Sequence, residues 1–350
     1  MEANHMKNGD KNRIIIFGGN RLQEKGPLLE FALLAIKKGY QVIIFTEKLH
    51  LDMDAGDGNS LRQHLTKENL EFVEIDKPSV ELVHRYIDDN TIGLLTNAVW
   101  LIKQDVIDLF NGKLYNYHNA CLPLERGAAA YSWKILSQNP YGGLTIHKVV
   151  EKLDSGDIVL YREVIFPKEC RIPQDYYFYL KDIEVVFFSE FLDKIESDEG
   201  LVTISQLDSN SRYWPRLNTD QNGYISWDWQ CHDIELFINA FDSPHKGAST
   251  FLCGERIHLK QGARSVGEGV FHPFQAGIVF RKVEAGIFIA ATGGCLIIKE
   301  VLDENGENII NKVKIGQRFF TPYSYLEKAK TVEIIHNSKE IKVRHIVPNG

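Results

Sequence analysis

Residues 12–46 read NRIIIFGGNRLQEKGPLLEFALLAIKKGYQVIIFT: an apolar run that stops at two glycines, a polar turn, an amphipathic stretch closed by Gly39, and a second apolar run. Apolar residues at helical spacing, flanked by continuous apolar runs, predict strand, helix and strand in that order. The unit recurs. LEFVEI (70–75), TIGLLTNA (91–98) and KLYNYHN (113–119) are further strand candidates, and helices are expected near 59–68, 79–88, 103–110 and from about Gly127. Such alternation predicts an α/β fold, a Rossmann-like, mostly parallel sheet with helices on both faces. GGLTIHKVV (142–150) and GDIVLYREVIF (156–166) are separated by a short turn, so they are expected to pair antiparallel at the sheet edge. A long helix over 174–197 closes this first unit.

Past the polar connector DSNSRYWPRLNTDQNG (208–223) the character changes to one amphipathic helix, WDWQCHDIELFINAF (227–241), and short strands broken by glycine turns. One helix with several such strands suggests a small β-barrel (OB-like) C-terminal domain. The division expected is residues 1–5 as a cloning remnant, 6–205 as the catalytic domain, 206–222 as linker, 223–320 as the OB-like domain and 321–350 as a β-rich tail. A chain of 350 residues suits two compact units at about 150 residues per domain.

Composition narrows the partners. Hydrophobic residues at 44%, charged residues at 25% and a formal net charge of −7 describe an ordinary globular protein. A domain gripping a phosphate backbone would carry a basic balance, so nucleic acid is not expected as a partner. No apolar run reaches the roughly 18 residues that span a bilayer, which predicts a cytoplasmic protein with no membrane partner. The five cysteines form no C-x-x-C pair, so no metal site is signalled and reduced thiols are expected.

The chemistry is carried by LYNYHNACLPLERGAAAYSW (114–133), where a strand hands over to a helix. Polar residues at the carboxyl end of such a strand face the ligand crevice. Asn116 and His118 lie two apart, so both project to one face. An amide donor and an imidazole converging there suit acyl transfer, the first donating to a developing oxyanion and the second moving a proton near neutral pH. EKLDSGD (151–157) supplies Asp154, and Asp157 three residues later. A carboxylate beside an imidazole favours the imidazolium. Taken singly, Asn-x-His is more commonly a hydrogen-bonded strand end, and LDSGD alone is an ordinary turn. His147 reads equally as an acceptor contact or a satisfied core histidine.

Taken together and in this order, Asn116-x-His118, Leu122-Pro123, Arg126-Gly127, GLTIH (143–147) and LDSGD (153–157) resemble the 10-formyltetrahydrofolate-dependent formyltransferase family. The second unit, from YISWDWQCHDIELFINAF (224–241) into its first strands, is similar to the C-terminal domain of methionyl-tRNA and UDP-4-amino-arabinose formyltransferases. The resemblance implies a catalytic triad of Asn116, His118 and Asp154. It also implies 10-formyltetrahydrofolate as co-substrate, its pterin lying against Asn97, Ala98, Val99 and Trp100 and the segment holding Val150 and Leu153. The family's H-x-S-L-L-P stretch reads H-N-A-C-L-P here, so Ala120 and Cys121 depart from it while the triad is kept.

A nucleotide-linked amino-dideoxy sugar destined for a surface glycan is the acceptor expected, and a homodimer is the assembly expected. Acidic net charge argues against tRNA. Gly19, Asn20 and Arg21, at a strand-to-helix turn, could hold an anionic group, although Gly18-Gly19 is equally a tight turn packed on the sheet. Tyr213, Trp214 and Arg216 could stack on a base or meet a phosphate, with Arg126, Gly127 and Tyr131 completing the acceptor side. The alternatives are a methionyl-tRNA formyltransferase and a non-catalytic nucleotide-sugar or folate-binding protein. A dinucleotide oxidoreductase loses support because G-x-G-x-x-G is absent from the first turn.

Overall fold

The computed structural model describes residues 12–20, 26–197, 200–265, 267–336 and 341–345. Five parallel strands build the first sheet: β1 (Arg13–Gly18), β2 (Gln41–Thr46), β3 (Glu71–Glu74), β4 (Thr91–Thr96) and β5 (Leu114–His118). After a two-residue β6 (Arg126–Gly127), β7 (Tyr141–Lys148) and β8 (Ile158–Ile165) extend the sheet antiparallel, giving the order β3-β2-β1-β4-β5-β7-β8. The chain starts in the middle, winds outward to β3 and crosses back to β4. A cavity opens at the carboxyl ends of β4 and β5, lined by Thr96, Asn97, His118 and Asn119.

Helices cover both faces. They are α1 (Pro27–Lys37), α2 (Lys48–Asp52), α3 (Leu61–Lys67), α4 (Val80–Val83), α5 (Gln104–Asp108), α6 (Ala130–Ser137) and α7 (Pro173–Glu196). Alternate residues of β1 divide between two cores: Ile14 and Ile16 pack with Phe31 of α1 and Phe188 of α7, while Ile15 and Phe17 pack with Val106 and Ile107 of α5. Period-two alternation is thus apolar on both sides, as expected for a strand buried between helix layers. Phe31 and Phe188 stack at 4.3 Å between ring centroids, both fully buried. Phe188→Ala is expected to lower the unfolding free energy by about 3–5 kcal/mol, read from the denaturant midpoint of the intact chain.

Two expected helices differ from the sequence reading. The helix expected over 79–88 is only α4, because the chain must turn through Asp88 to enter β4, with the Asp88 N–H donating to Thr91 Oγ1 at 2.9 Å. The helix expected from Gly127 begins at Ala130, because β6 pairs in parallel with β9 (Tyr213–Trp214) of the connector. Gly127 has φ +104°, and a Cβ there would lie 2.1 Å from the Trp214 carbonyl oxygen. Only glycine fits.

The second unit holds α8 (Thr219–Asn222), α9 (Cys231–Ala240) and a curled antiparallel sheet of β10 (Ala248–Leu252), β11 (Glu255–Ser265), β12 (Val279–Val283), β13 (Gly286–Ala291), β14 (Gly294–Leu302) and β15 (Phe319–Phe320). Its order is β12-β13-β14-β11-β10-β15. The two edges approach each other at a bridge between Ile278 and Arg318, flanked by the Val279 N–H on Gln317 O and the Phe319 N–H on Gly277 O, each 2.9 Å. Ser132 of α6 donates to Ala240 O at 2.7 Å and ties the units together. The tail expected to be β-rich opens with a helix, α10 (Tyr323–Thr331), followed by the hairpin β16 (Val332–His336) and β17 (Ile341–His345). Among the described residues no helix is long and apolar enough to cross a membrane.

Candidate active site

β5 ends in Asn116 and His118, and its antiparallel neighbour β7 places His147 directly opposite Asn116. The His147 Nδ1–H donates to Lys148 O at 2.8 Å, which makes Nε2 an acceptor in the neutral ring. Asn116 Nδ2 donates to that nitrogen at 3.0 Å, and its second proton leans toward Asp154 Oδ1 at 3.4 Å. When His147 is protonated, the same Nε2 faces Asp154 Oδ1 at 3.6 Å. His147 belongs to the constellation through the strand register, which a hairpin reading of residues 142–166 alone does not reveal.

Asp154 sits in the turn between β7 and β8 with φ +49°, a left-handed conformation that asparagine and aspartate tolerate better than most residues. It is 7% exposed, and its Oδ2 accepts the Gly127 N–H at 2.9 Å. Burial pushes its carboxyl up. The His118 charge, the His147 hydrogen bond and charge, and the Gly127 N–H outweigh that and bring it down from 3.8 to about 2. Asp154 is therefore ionised throughout the neutral range.

His118 donates from Nε2 to Glu125 O at 2.7 Å, so Nδ1 is the nitrogen left for chemistry. The carbonyl is held by its own residue's side chain. The Glu125 carboxylate accepts the Cys121 N–H at 2.9 Å and pairs with Lys134, which is 2% exposed and also donates to Tyr141 O. One braced loop thus presents the Glu125 carbonyl to His118 and the Gly127 amide to Asp154. Breaking a buried pair leaves a charge uncompensated. Lys134→Met is expected to lower kcat by about tenfold with the donor KM unchanged, because misplacement by even ~1 Å costs catalysis heavily; steady-state kinetics on the purified variant would check it.

Asn116, His118 and Asp154 line one cavity of about 450 Å³ together with Asn97, Ala98, Val99, Trp100, Val150 and Leu153, and with Gly127, Tyr131 and Arg216. Asn97 itself is left-handed at φ +50°. Tyr131 accepts a hydrogen bond from Asn119 Nδ2 at 2.8 Å. Arg216 carries no carboxylate partner among the described residues, and burial lowers its pKa. A half-buried guanidinium without an acid beside it in a cavity wall has donors left to offer an anion.

Other residues expected at the site lie elsewhere. Gly19 packs against His50, and Asn20, 2% exposed, gives its carbonyl to Asn97 Nδ2 at 2.9 Å, so both are outside the cavity. Arg21 falls outside the described residues. The Arg126 guanidinium turns away to Gln206 and Asp208, at 2.8 Å from the Asp208 carboxylate. Trp214 stacks on Trp133 at 5.2 Å and borders a neighbouring cavity, and Tyr213 is 59% exposed beside it. His245 of the second unit lines the catalytic cavity unforeseen. Burial, then the Lys260 charge, lowers its pKa to about 4, so it is neutral there. Among the described residues no His, Cys, Asp and Glu group could hold a metal ion.

Residues 88–175 match the formyl transferase family, and residues 218–313 match the formyl transferase C-terminal domain, together just over half of the chain. The chain belongs to the formyltransferase family. The chain is 27% identical over 205 residues to the methionyl-tRNA formyltransferase of Desulfotalea psychrophila, an alignment that takes in 58% of this chain and 61% of that protein. It spans about six tenths of that relative's length. In structure it resembles WlaRD, a sugar 3N-formyl transferase solved in the presence of dTDP and 5-N-formyl-THF, with a TM-score of 0.59 at 21% identity over 85% of this chain and all of that one. It also resembles the N-formyltransferase from Helicobacter canadensis in complex with folinic acid and dTDP-3-aminofucose, with a TM-score of 0.60 at 17% identity over 83% of this chain and all of that one. At such identities the structural likeness speaks for the fold.

Proposed function

We propose that this formyltransferase moves the formyl group of 10-formyltetrahydrofolate to the amine of a nucleotide-linked amino-dideoxy sugar. The observation that carries the acceptor is Arg216, an arginine in the catalytic cavity wall with no acid to neutralise it among the described residues. A sugar nucleotide brings the diphosphate such a group would meet. The relatives solved with dTDP or dTDP-3-aminofucose and a formylated folate fit the same reading. The segment Asn97 to Trp100, with Val150 and Leu153, would receive the pterin. The chain would divide at residues 206–222, with 223–320 as an OB-like domain.

In this reading an uncharged amine attacks the formyl carbon, and the formyl oxygen gains negative charge. The Asn116 N–H that leans on Asp154, and the protonated Nδ1 of His118, would point at that oxygen. Asp154 is too weak a base to hold a proton for long, so its contribution is charge: it steadies the imidazolium. The carbon–N10 bond then breaks, and N10 takes up the proton that the amine gave away, relayed by His118 or water.

A second reading, a methionyl-tRNA formyltransferase, has the curated relative on its side. The formal net charge of −7 weighs against it, since tRNA affinity rests on basic surface. The two are separated by Arg216→Ala. On a nucleotide sugar this variant should raise the acceptor KM by about 10- to 100-fold, a charge-assisted phosphate contact contributing about 1.5–3 kcal/mol, with the donor KM unmoved.

A further inference from the structure

The chain beyond residue 313 lies outside both family matches, yet it returns to the catalytic cavity. α10 anchors it on the second unit: the Tyr325 ring lies 5.1 Å from Tyr224 and 4.8 Å from Phe251, and Ala329 O accepts a hydrogen bond from Asn222 Nδ2 at 2.9 Å. At Thr331 the helix gives way to β16, which pairs antiparallel with β17 so that Glu333 stands opposite Arg344 and forms an ion pair with it. Strand alternation separates the two sides of β16. Val332 and Ile334 share one face, 6% and 7% exposed, and Glu333 points the other way.

Ile334 lines the same cavity as Asn116, His118, Asp154 and Arg216. The Glu333 charge acts on Tyr213 of the connector: burial raises that phenol's pKa first, and the charges of Glu333 and Asp154 raise it further. The hairpin therefore meets the cavity, with Glu333 in electrostatic range of Tyr213, three residues before the cavity-lining Arg216.

We propose that Ile334 is a specificity-determining residue, the apolar wall with which the C-terminal hairpin closes the acceptor side of the cavity, limiting acceptor bulk and keeping water from the formyl carbon. The part concerning acceptor bulk rests on the proposed function; the part concerning water rests only on formyltransferase chemistry. A branched apolar side chain at such a wall makes discrimination steric, and one methylene more or less is worth about 10- to 200-fold in kcat/KM. Without an acceptor, a water that reaches the donor attacks the formyl carbon, the carbon–N10 bond breaks, N10 takes a proton, and formate and tetrahydrofolate result.

The test compares full-length Ile334→Ala and Ile334→Phe with the unsubstituted chain in two assays, formyl transfer to a nucleotide-linked amino sugar and acceptor-free hydrolysis of 10-formyltetrahydrofolate. Ile334→Phe should raise the acceptor KM by about tenfold and leave the donor KM within about twofold. Ile334→Ala should raise acceptor-free hydrolysis several-fold. If the unsubstituted chain formylates no nucleotide sugar, the proposed acceptor falls, and the hydrolysis assay still decides on the wall. Acceptor KM and hydrolysis both equal to those of the unsubstituted chain would overturn the inference, as would donor and acceptor KM rising together in Ile334→Phe.

Discussion

His118→Ala is expected to lower kcat by about 100- to 1000-fold, with Asn116→Ala falling in the same range, because in the proposed mechanism each removes a donor aimed at the oxygen where charge develops. The donor KM should change little in either. The cavity wall that would take the pterin is built from other residues, Asn97 to Trp100, Val150 and Leu153. The double variant should lose less than the product of the two single losses, since both groups serve one transition-state oxygen and residues acting as a unit are not additive. Stopped assays with 10-formyltetrahydrofolate at saturating acceptor would show whether kcat or KM carries the loss.

Asp154→Asn is the second large effect, again about 100-fold or more in kcat, by a different route. Asparagine keeps the shape but removes the negative charge that faces His118 and His147. It also replaces an acceptor of the Gly127 N–H with a group that must choose which end to present. The same residue makes stability depend on pH. Its folded pKa of about 2 lies below the unfolded 3.8, so the ionised form favours folding; that contribution is complete above about pH 4 and is lost as the pH falls toward 2. Urea titrations of the unsubstituted chain should show the loss over that window, and Asp154→Asn should flatten it.

The strands that build the first sheet follow from continuous apolar runs, and β2 coincides with the run QVIIFT. The antiparallel pairing of β7 and β8 was likewise readable from a short polar turn between two β-rich segments. Less visible was anything set by contacts distant in sequence. Gly127 looked like a helix start because its strand partner, Trp214, lies far along the chain. His147 stayed ambiguous because its nearness to Asn116 depends on the register of β7 on β5, which local pattern does not fix. Glu125 and Lys134 are nine residues apart and carry no motif, and their pairing appears only once the loop folds over α6.

The converse also holds. Arg126 and Gly19 looked exposed to ligand because arginine and paired glycines often are, but Asp208 takes the first and His50 fills the space around the second. Arg216 has no such partner among the described residues, and for that reason it remains the strongest residue-level pointer to the acceptor.

The measurement to make first is formyl transfer read by mass spectrometry. The protein is incubated with 10-formyltetrahydrofolate and a panel of UDP-, dTDP- and GDP-linked 3- and 4-amino sugars, with initiator methionyl-tRNA alongside. A mass gain of one formyl group on a nucleotide sugar, lost in His118→Ala and weakened in Arg216→Ala, is the expected result. Formyl-methionyl-tRNA with every sugar unchanged would contradict it.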